Sequence, residues 1–326
     1  MKKILESICI IGILLFFGIE ILMGSETVLQ SVSFALNVWQ KNIFPSLFPF
    51  FVLSEFLIQY GFVELVSELF RNVMQRLFRI NGYASFVFIM SIISGFPSSA
   101  KYTRELYLQG HLNKDEASKL LTFTHFSNPL FILGTVSILF LQNKEVGILI
   151  LLCHYFVNII VGILFRNYAP STDTYTKTSI KKAILMMHEK RISNSSSFGK
   201  VISTAVVNSI QTLLLILGTV TLFLIITTVL DNNLSLNNYY QAILNGIVEM
   251  TQGLKYVSLL EIPLKLKSIL TVMILSFGGF SVHIQMFSIL SDTEIRYLPF
   301  LTARLLHAAL SGIFLYFAFD IWITLL

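Results

Sequence analysis

The sequence predicts an all-α, polytopic membrane protein made of two inverted repeats, each with a re-entrant helical hairpin and a broken or polar crossing helix. Three observations support this fold class. Of 326 residues, 55% are hydrophobic and 13% charged, whereas soluble domains are about 25% charged. Several apolar stretches reach the roughly 20 residues that a helical span requires. Two others are interrupted by similar sequences, SGFPSSAK at residues 94–101 and GGFSVHIQ at residues 278–285.

The two interruptions have a functional implication. A helix broken by Gly, Pro or Ser exposes backbone N–H and C=O groups, and each unsatisfied group costs several kcal/mol in lipid. The breaks must therefore be buried in protein or line a wet cavity. Interrupted helices at corresponding places in two halves of a chain indicate the substrate site of a repeat-built transporter.

The first residues of the chain are predicted to form a membrane helix. Residues 1–30 contain a basic start and a long apolar run, which is also compatible with a signal peptide. We favour a retained N-terminal transmembrane helix, because Glu20 lies late in the run and residues 23–26 (MGSE) are a poor cleavage site.

Residues 31–165 are predicted to form the first gate-type repeat. In chain order it contains an irregular span, an amphipathic interfacial helix, a hairpin too short in each arm to cross the membrane, a crossing broken near its middle, and a plain span. These elements are expected at residues 42–62, 63–80, 83–109, 114–141 and 146–165.

Residues 166–200 read as a basic cytoplasmic linker, and residues 201–326 as the second, inverted repeat. The second repeat is expected to contain a long span, an amphipathic segment, hairpin two around Gly278 and Gly279, and a last crossing, at residues 201–230, 239–260, 269–290 and 298–325. Basic residues are concentrated near the N-terminus, the linker and the first hairpin, which places these regions in the cytoplasm. The two hairpins then enter from opposite faces.

The candidate substrate site lies at the interruptions. A half-helix that begins inside the membrane presents free N–H groups and the positive end of its dipole, which suits an anion. Ser98 and Ser99 begin such a helix and Lys101 follows, although an ordinary cap and a lysine that reaches the interface are the alternative. Asn128 precedes another helix start, or else a proline kink without a ligand. The predicted substrate-binding residues are Ser94, Gly95, Pro97, Ser98, Ser99, Lys101, His125, Ser127, Asn128, Gly279, Ser281 and Arg304.

Arg304 places a charged side chain inside the last crossing. Because such burial is costly, an ionisable residue within a membrane span is first taken as a functional residue. Glu249 is its expected acidic partner, or an ion or proton site, and Glu55 is a second such carboxylate; the alternative for Arg304 and Glu249 is a structural ion pair. His125, His154 and His307 could carry protons, but isolated histidines on helices are more often packing residues.

The sequence contains none of the patterns that enzymes require. A Walker A loop, an HExxH motif and paired metal-ligand spacings are missing. We therefore expect no catalytic residue, no metal, no cofactor and no nucleic acid partner. The lipid bilayer is an expected partner. A coupling ion and a second copy of the chain, in a homo-oligomer, are further possible partners.

Three motifs carry a resemblance to a known family. NIFPSLFPFF at residues 42–51, SGFPSSAK at 94–101 and FTHFSNPLF at 123–131 resemble the sporulation integral membrane protein family called YlbJ or SpoVV. The resemblance covers about residues 30–326. Members resemble gate, or nucleoside-recognition, proteins and are distantly similar to concentrative nucleoside transporters with two oppositely entering hairpins. The resemblance implies export of dipicolinic acid across the outer forespore membrane of the mother cell during sporulation.

Three functions follow as hypotheses. The first is a carrier of a small organic anion such as dipicolinate, which would suit the helix starts at Ser98, Ser99 and Asn128, with Lys101 and Arg304 as charge partners. The second is a carrier of a nucleoside or related solute, which needs no such cations. The third is a membrane assembly or sensor protein of sporulation. In either carrier, the two hairpins are expected to open the site to opposite sides in turn.

Overall fold

The computed structural model describes residues 1–169, 171, 179–194 and 196–325, and this part of the chain is helical and contains no β-strand. The predicted all-helical membrane class is confirmed. Six helical elements in these residues are long and apolar enough to cross a membrane, namely Lys3–Met23, Ser25–Gln59, Lys144–Asn167, Phe198–Asn233, Leu264–Leu290 and Tyr297–Thr324.

The N-terminal part of the chain forms two long elements. Helix α1 (Lys2–Met23) ends at Gly24, and α2 (Ser25–Val38) continues through a π-helical turn (Trp39–Ile43) into α3 (Phe44–Gln59). Pro45 stands in the first turn of α3, and Pro49 stands inside it.

The next helices form the first folded-back pair. Helix α4 (Phe62–Phe78) is amphipathic, as predicted, and leads to α5 (Ala84–Ser94) and α6 (Ser98–Leu108). The rings of Phe86 on α5 and Tyr102 on α6 lie 5.4 Å apart between centroids. The chain therefore reverses direction at residues 95–97, and we call this turn tip 1.

The predicted interruption within residues 114–141 is confirmed, and we call this segment the first broken crossing. Helix α7 (Lys114–Leu120) begins at a capping box on Asn113, and residues 121–128 are not helical. Beyond this unwound segment, Pro129 starts a helical turn that continues as a π-helical segment (Phe131–Phe140) and is followed by α8 (Lys144–Leu164).

The basic linker contains a helix. Residues 172–178 of the predicted linker lie outside the described residues, and α9 (Ile180–Ser193) follows them. Helix α9 packs on α4, where Lys182 Nζ lies 3.3 Å from Glu68 Oε2. The next helix, α10 (Phe198–Asn233), packs along α2 and α3 through buried apolar residues such as Phe51 and Leu213. We call α2, α3 and α10 the scaffold.

The second folded-back pair differs from the prediction. The segment expected to be one amphipathic element is two helices, α11 (Asn238–Val248) and α12 (Met250–Leu259), which meet at Glu249. They approach so closely that a Cβ atom on Gly253 would lie 2.1 Å from Gly246 Cα. The chain therefore reverses at Glu249, which we call tip 2.

The interruption at Gly278 and Gly279 does not form hairpin two, which corrects the sequence-based assignment. It separates α13 (Leu264–Phe277) from α14 (Gly279–Leu290), and these helices do not pack along each other; together they have the length of one crossing. Helix α13 packs on α15 (Tyr297–Thr324), whereas α14 packs on α6 and α10. A glycine pair breaks a crossing as readily as it makes a tip, so the sequence did not distinguish the two.

Candidate functional site

Tip 1 lies directly on the unwound segment 121–128. A Cβ atom on Gly95 would lie 2.5 Å from the backbone nitrogen of Asn128, so only glycine permits this approach. The backbone N–H of Phe96 donates to the carbonyl of Phe126 at 2.7 Å. The first folded-back pair and the first broken crossing therefore meet backbone to backbone.

Asn128 joins these two elements through its side chain. Its Nδ2 donates to the carbonyls of Ile93 and Ser94, at 3.3 and 3.2 Å, where α5 ends. Its Oδ1 accepts from the backbone N–H groups of Leu130 and Phe131, at 2.8 and 3.2 Å, where the next helix begins. One amide thus caps the end of α5 and the start of the helix after Asn128. It satisfies backbone groups that are exposed at both places.

Tip 2 lies on the second broken crossing in a similar way. A Cβ atom on Gly279 would lie 2.9 Å from the backbone nitrogen of Met250. Glu249 caps α12, because its Oε2 accepts from the backbone N–H of Gln252 at 2.8 Å. Ser281 Oγ on α14 donates to the other carboxylate oxygen of Glu249 at 3.4 Å. Each tip therefore meets the interruption of one broken crossing.

The two interruptions also lie next to each other. A Cβ atom on Gly278 would lie 3.3 Å from Nε2 of His125 in the unwound segment. The His125 ring stacks on Phe96 of tip 1, with centroids 4.7 Å apart, and contacts Phe300 edge-on at 4.9 Å. His125 is thus a packing residue between the breaks.

A small cavity, of about 50 Å³, lies where the two tips, the two broken crossings and the scaffold meet. Most of its wall is apolar, and Glu249 is the one ionisable residue among the described residues that line it. The lining residues are Ile43, Ser46, Leu47, Phe96, Ser127, Asn128, Phe131, Ile216, Val220, Glu249, Met250, Thr251, Val282 and Gln285.

Three of the residues singled out from the sequence line this cavity: Ser127, Asn128 and Glu249. The hydroxyl of Ser127 is buried and has no hydrogen-bond partner among the described residues. A buried polar group without a partner is rare in a folded protein. Ser127 is therefore the wall residue with an unused hydrogen-bonding group.

The predicted residues of tip 1 shape the turn and do not line the cavity. Ser94 Oγ donates to Ser98 Oγ at 2.8 Å, and Ser98 Oγ donates to the carbonyl of Gly95. Pro97 stands at the N-cap position of α6, which has no side-chain cap. Ser99 is buried, and its hydroxyl has no partner in the described part of the chain.

Lys101 and Glu55 lie outside the cavity and bind each other. Lys101 Nζ on α6 lies 2.5 Å from Glu55 Oε1 on α3, and Asn208 of α10 donates to Glu55 Oε2 at 3.1 Å. This pair lies at a wider, polar opening between the scaffold and helices α6 and α14. Along α3 and α10, the opening begins one or two helical turns beyond the cavity residues.

Arg304 does not face the cavity either, and its predicted pairing with Glu249 is wrong. Its side chain is fully buried behind the unwound segment. It donates to the carbonyls of Thr122 and His125 and to Asn158 Oδ1, and its Nη1 lies 2.8 Å from His307 Nδ1. The charge partners expected for an anion, Lys101 and Arg304, are therefore both engaged elsewhere.

The sequence did not single out several wall residues. Three of them lie within the two interrupted sequences, at residues 94–101 and 278–285: Phe96, Val282 and Gln285. Thr251 follows tip 2, and Ile216 belongs to the scaffold. Nothing in the local sequence of α10 marks a residue that a cavity will meet, because that contact depends on tertiary packing.

This arrangement, with folded-back helix pairs against interrupted helices and six helices long enough to span a bilayer, defines a multi-pass integral membrane protein. The family model "Gate: Nucleoside recognition" matches residues 41–144, which include tip 1 and the unwound segment. The chain is 33% identical over 338 residues to the sporulation integral membrane protein YlbJ of Bacillus subtilis (strain 168), an alignment that covers 95% of this chain and 82% of that protein. The chain therefore belongs to the YlbJ family, as the three motifs predicted. No solved structure matches it.

Proposed function

We propose that this chain is a multi-pass membrane transporter, and that its solute binds in the cavity between tips 1 and 2. The observation that carries the proposal is the position of the cavity, because tips and interrupted crossings form its wall together with the scaffold. Interrupted helices place free backbone groups at the middle of the membrane, where transporters bind their solutes.

The arrangement supports a revised repeat. We propose that α5–α6, the crossing broken at residues 121–128, and α8 correspond to α11–α12, the crossing broken at Gly278, and α15. Both units have the same order of elements. In this proposal each folded-back pair is a re-entrant hairpin, the two enter from opposite faces, and each opens the cavity to one side while the other stays closed.

Polar contacts between scaffold and hairpins supply a closing contact for each gate. On one side, Lys101 of α6 binds Glu55 of α3. On the other, Asp231 of α10 accepts a hydrogen bond from Tyr256 of α12 at 2.9 Å and from Asn245 of α11 at 3.2 Å. Each gate can then open when its own contact with the scaffold breaks.

The solute that we propose first is a small organic anion, dipicolinate, which the protein exports across the outer forespore membrane during sporulation. The relative's name places that protein in sporulation. Helix α14 begins next to the cavity without a side-chain cap, so its first N–H groups are available to a carboxylate. At the start of α6, by contrast, the N–H groups of Ser98 and Ala100 donate to the carbonyls of Gly95 and Pro97. Because Glu249 lines the cavity, we further propose that this carboxyl carries a proton when the anion binds.

A nucleoside or related neutral solute is the second candidate. The family model that matches residues 41–144 is described by nucleoside recognition. The cavity wall also favours this class, since it is apolar, includes the rings of Phe96 and Phe131, and contains no lysine or arginine among its described residues. Aromatic rings stack on planar solutes of either class.

Uptake by reconstituted vesicles tests both candidates. We expect labelled dipicolinate to enter proteoliposomes that contain the full chain, and excess nucleoside not to compete. Competition by nucleoside, with no dipicolinate uptake, would select the second candidate. Absence of uptake of either solute would contradict transport and favour an assembly or sensor role.

A matched pair of variants on α14 tests the cavity itself. Val282 is buried in the cavity wall, whereas Ile284 on the same helix is exposed on another face. Val282→Phe adds a ring where the solute is proposed to bind, so uptake should be lost. Ile284→Phe should transport as the wild type does. Equal uptake by the two variants would place the solute elsewhere.

A further inference from the structure

Arg304 is a buried cation without an acidic partner. Its side chain is fully buried in the last crossing, and no Asp or Glu carboxylate of the described residues forms an ion pair with it. An isolated charge is very costly to bury. Groups other than carboxylates must therefore compensate the charge of Arg304.

Those partners are mainly neutral oxygens. Arg304 Nη2 donates to the carbonyl of Thr122 at 2.5 Å and to Asn158 Oδ1 at 2.9 Å, and Nη1 donates to the carbonyl of His125 at 3.2 Å. The two carbonyls belong to the unwound segment 121–128. Transporters with interrupted helices use unwound carbonyls of this kind to coordinate a coupling Na⁺.

Other carbonyls of the first break are also occupied by donors of the chain. Asn158 Nδ2 donates to the carbonyl of Phe123 at 3.0 Å. The hydroxyl of Tyr155 donates to the backbone carbonyl of Ser127, also at 3.0 Å. The carbonyl of Phe126 accepts from a backbone N–H of tip 1. A metal ion would have to displace these donors.

The second break shows the same feature. The carbonyl of Phe277, which ends α13, lies 3.0 Å from Nε2 of His283, so that nitrogen carries the proton. The other ring nitrogen of His283 lies 2.7 Å from the hydroxyl of Tyr297. A side chain again occupies the carbonyl that the interruption exposes.

We propose that the guanidinium of Arg304 is a tethered substitute for a coupling metal cation. It holds the unwound segment 121–128 in the shape that a bound Na⁺ would otherwise maintain, so solute transport does not require Na⁺. This inference rests on the proposed transport function, and it makes Arg304 a positioning residue that does not touch the solute.

Ion replacement on the wild-type chain is the first test. Proteoliposomes are prepared with Na⁺, or with choline in its place, on both sides, and the initial uptake of dipicolinate and of uridine is measured. We expect the same rate in both media. Loss of uptake in choline overturns the inference while leaving transport intact. Absence of uptake in both media contradicts the proposed function instead.

A measurement independent of transport decides the inference in that last case. The melting temperature of the detergent-solubilised chain is recorded in Na⁺ and in choline. The inference expects no difference, because the carbonyls of the breaks are already bonded. A higher melting temperature in Na⁺ would show a specific Na⁺ site and overturn it.

Variants of the arginine separate a tethered cation from a merely bulky side chain. Arg304→Met keeps much of the length and removes the charge and the donors, so uptake should be lost and the melting temperature should become Na⁺-dependent. Arg304→Lys should retain uptake, since an ammonium group still donates to carbonyls. Arg296→Met, at the exposed start of the same helix, is the matched control and should behave as the wild type.

Uptake by Arg304→Met at the wild-type rate would overturn the inference. Loss of uptake by a folded Arg304→Lys variant would overturn it as well. If Arg304→Met yields no folded protein, the uptake and melting measurements on the wild-type chain in Na⁺ and in choline still decide the inference.

Discussion

Replacing Gly95 by alanine is the sharpest test of the contact between tip 1 and the unwound segment. Gly95 has φ 75° and ψ −175°, a backbone conformation that is essentially restricted to glycine and costs other residues about 1–3 kcal/mol. The new Cβ would also lie 2.5 Å from the backbone nitrogen of Asn128 and 2.8 Å from its Cα. Relief of such overpacking typically costs about 1–3 kcal/mol more.

The expected loss for Gly95→Ala is therefore about 2–6 kcal/mol of folding free energy, as the sum of the backbone and packing costs. Gly110→Ala is the matched control, because Gly110 also has positive φ, at 76°, but a Cβ there would have nothing within 4 Å. Its expected cost is roughly 1–2 kcal/mol. The difference between the variants isolates the packing contact and the more restricted ψ at Gly95.

Thermal melting of the detergent-solubilised variants and solute uptake by proteoliposomes are the two assays. Gly95→Ala should melt several degrees below Gly110→Ala and should lose uptake, whereas Gly110→Ala should keep it. Truncation of Asn128 to alanine should not rescue Gly95→Ala, because the nearest atoms of Asn128 are backbone atoms. Equal melting temperatures for the two glycine variants would refute the backbone contact.

Three other predictions concern tip 2, proton coupling and the first gate. Gly253→Ala should lower the melting temperature, because its Cβ would lie 2.1 Å from the facing helix, whereas Gly218→Ala, with nothing within 4 Å, should not; equal values would contradict the reversal at Glu249. If Glu249 carries a proton with the anion, wild-type uptake should rise as pH falls, and Glu249→Gln should transport at a rate that does not vary with pH. Breaking the ion pair at the wider opening by Lys101→Met should favour the state open on that side, so an engineered cysteine there should react faster with a water-soluble maleimide. An unchanged labelling rate would show that the pair does not hold the gate.

Composition and hydropathy were sufficient to predict an all-helical membrane protein. Apolar runs of more than 20 residues have few folded alternatives in lipid, since every backbone group must be bonded within the segment. The same reasoning identified both interruptions and the broken crossing near residue 128. These features depend on local chemistry: proline lacks an N–H, glycine permits positive φ, and asparagine caps helices.

The assignment of hairpin two failed because a tip and a break look alike in sequence. Both interrupt an apolar segment, and a glycine pair serves either role. The true reversal at Glu249 lacks glycine and proline at the turn itself; it depends on the close contact between Gly246 and Gly253 and on the N-cap made by Glu249. Such a contact is visible only when both helices are in place.

The partners of the charged residues were also beyond the reach of the sequence. Arg304 and Glu249 are both buried, and pairing them was the simplest electrostatic solution. The folded chain instead surrounds Arg304 with carbonyl and amide oxygens that lie about 150–180 positions earlier, and it pairs Lys101 with a glutamate 46 positions earlier.

The sequence by itself determined the membrane class, the family and the positions of the two breaks, because these follow from composition, motif order and the backbone chemistry of single residues. Only the tertiary structure decided which segment reverses, which residues line the cavity and which groups surround the buried arginine. Those outcomes depend on contacts between residues far apart in the chain, whose free energies no local pattern encodes.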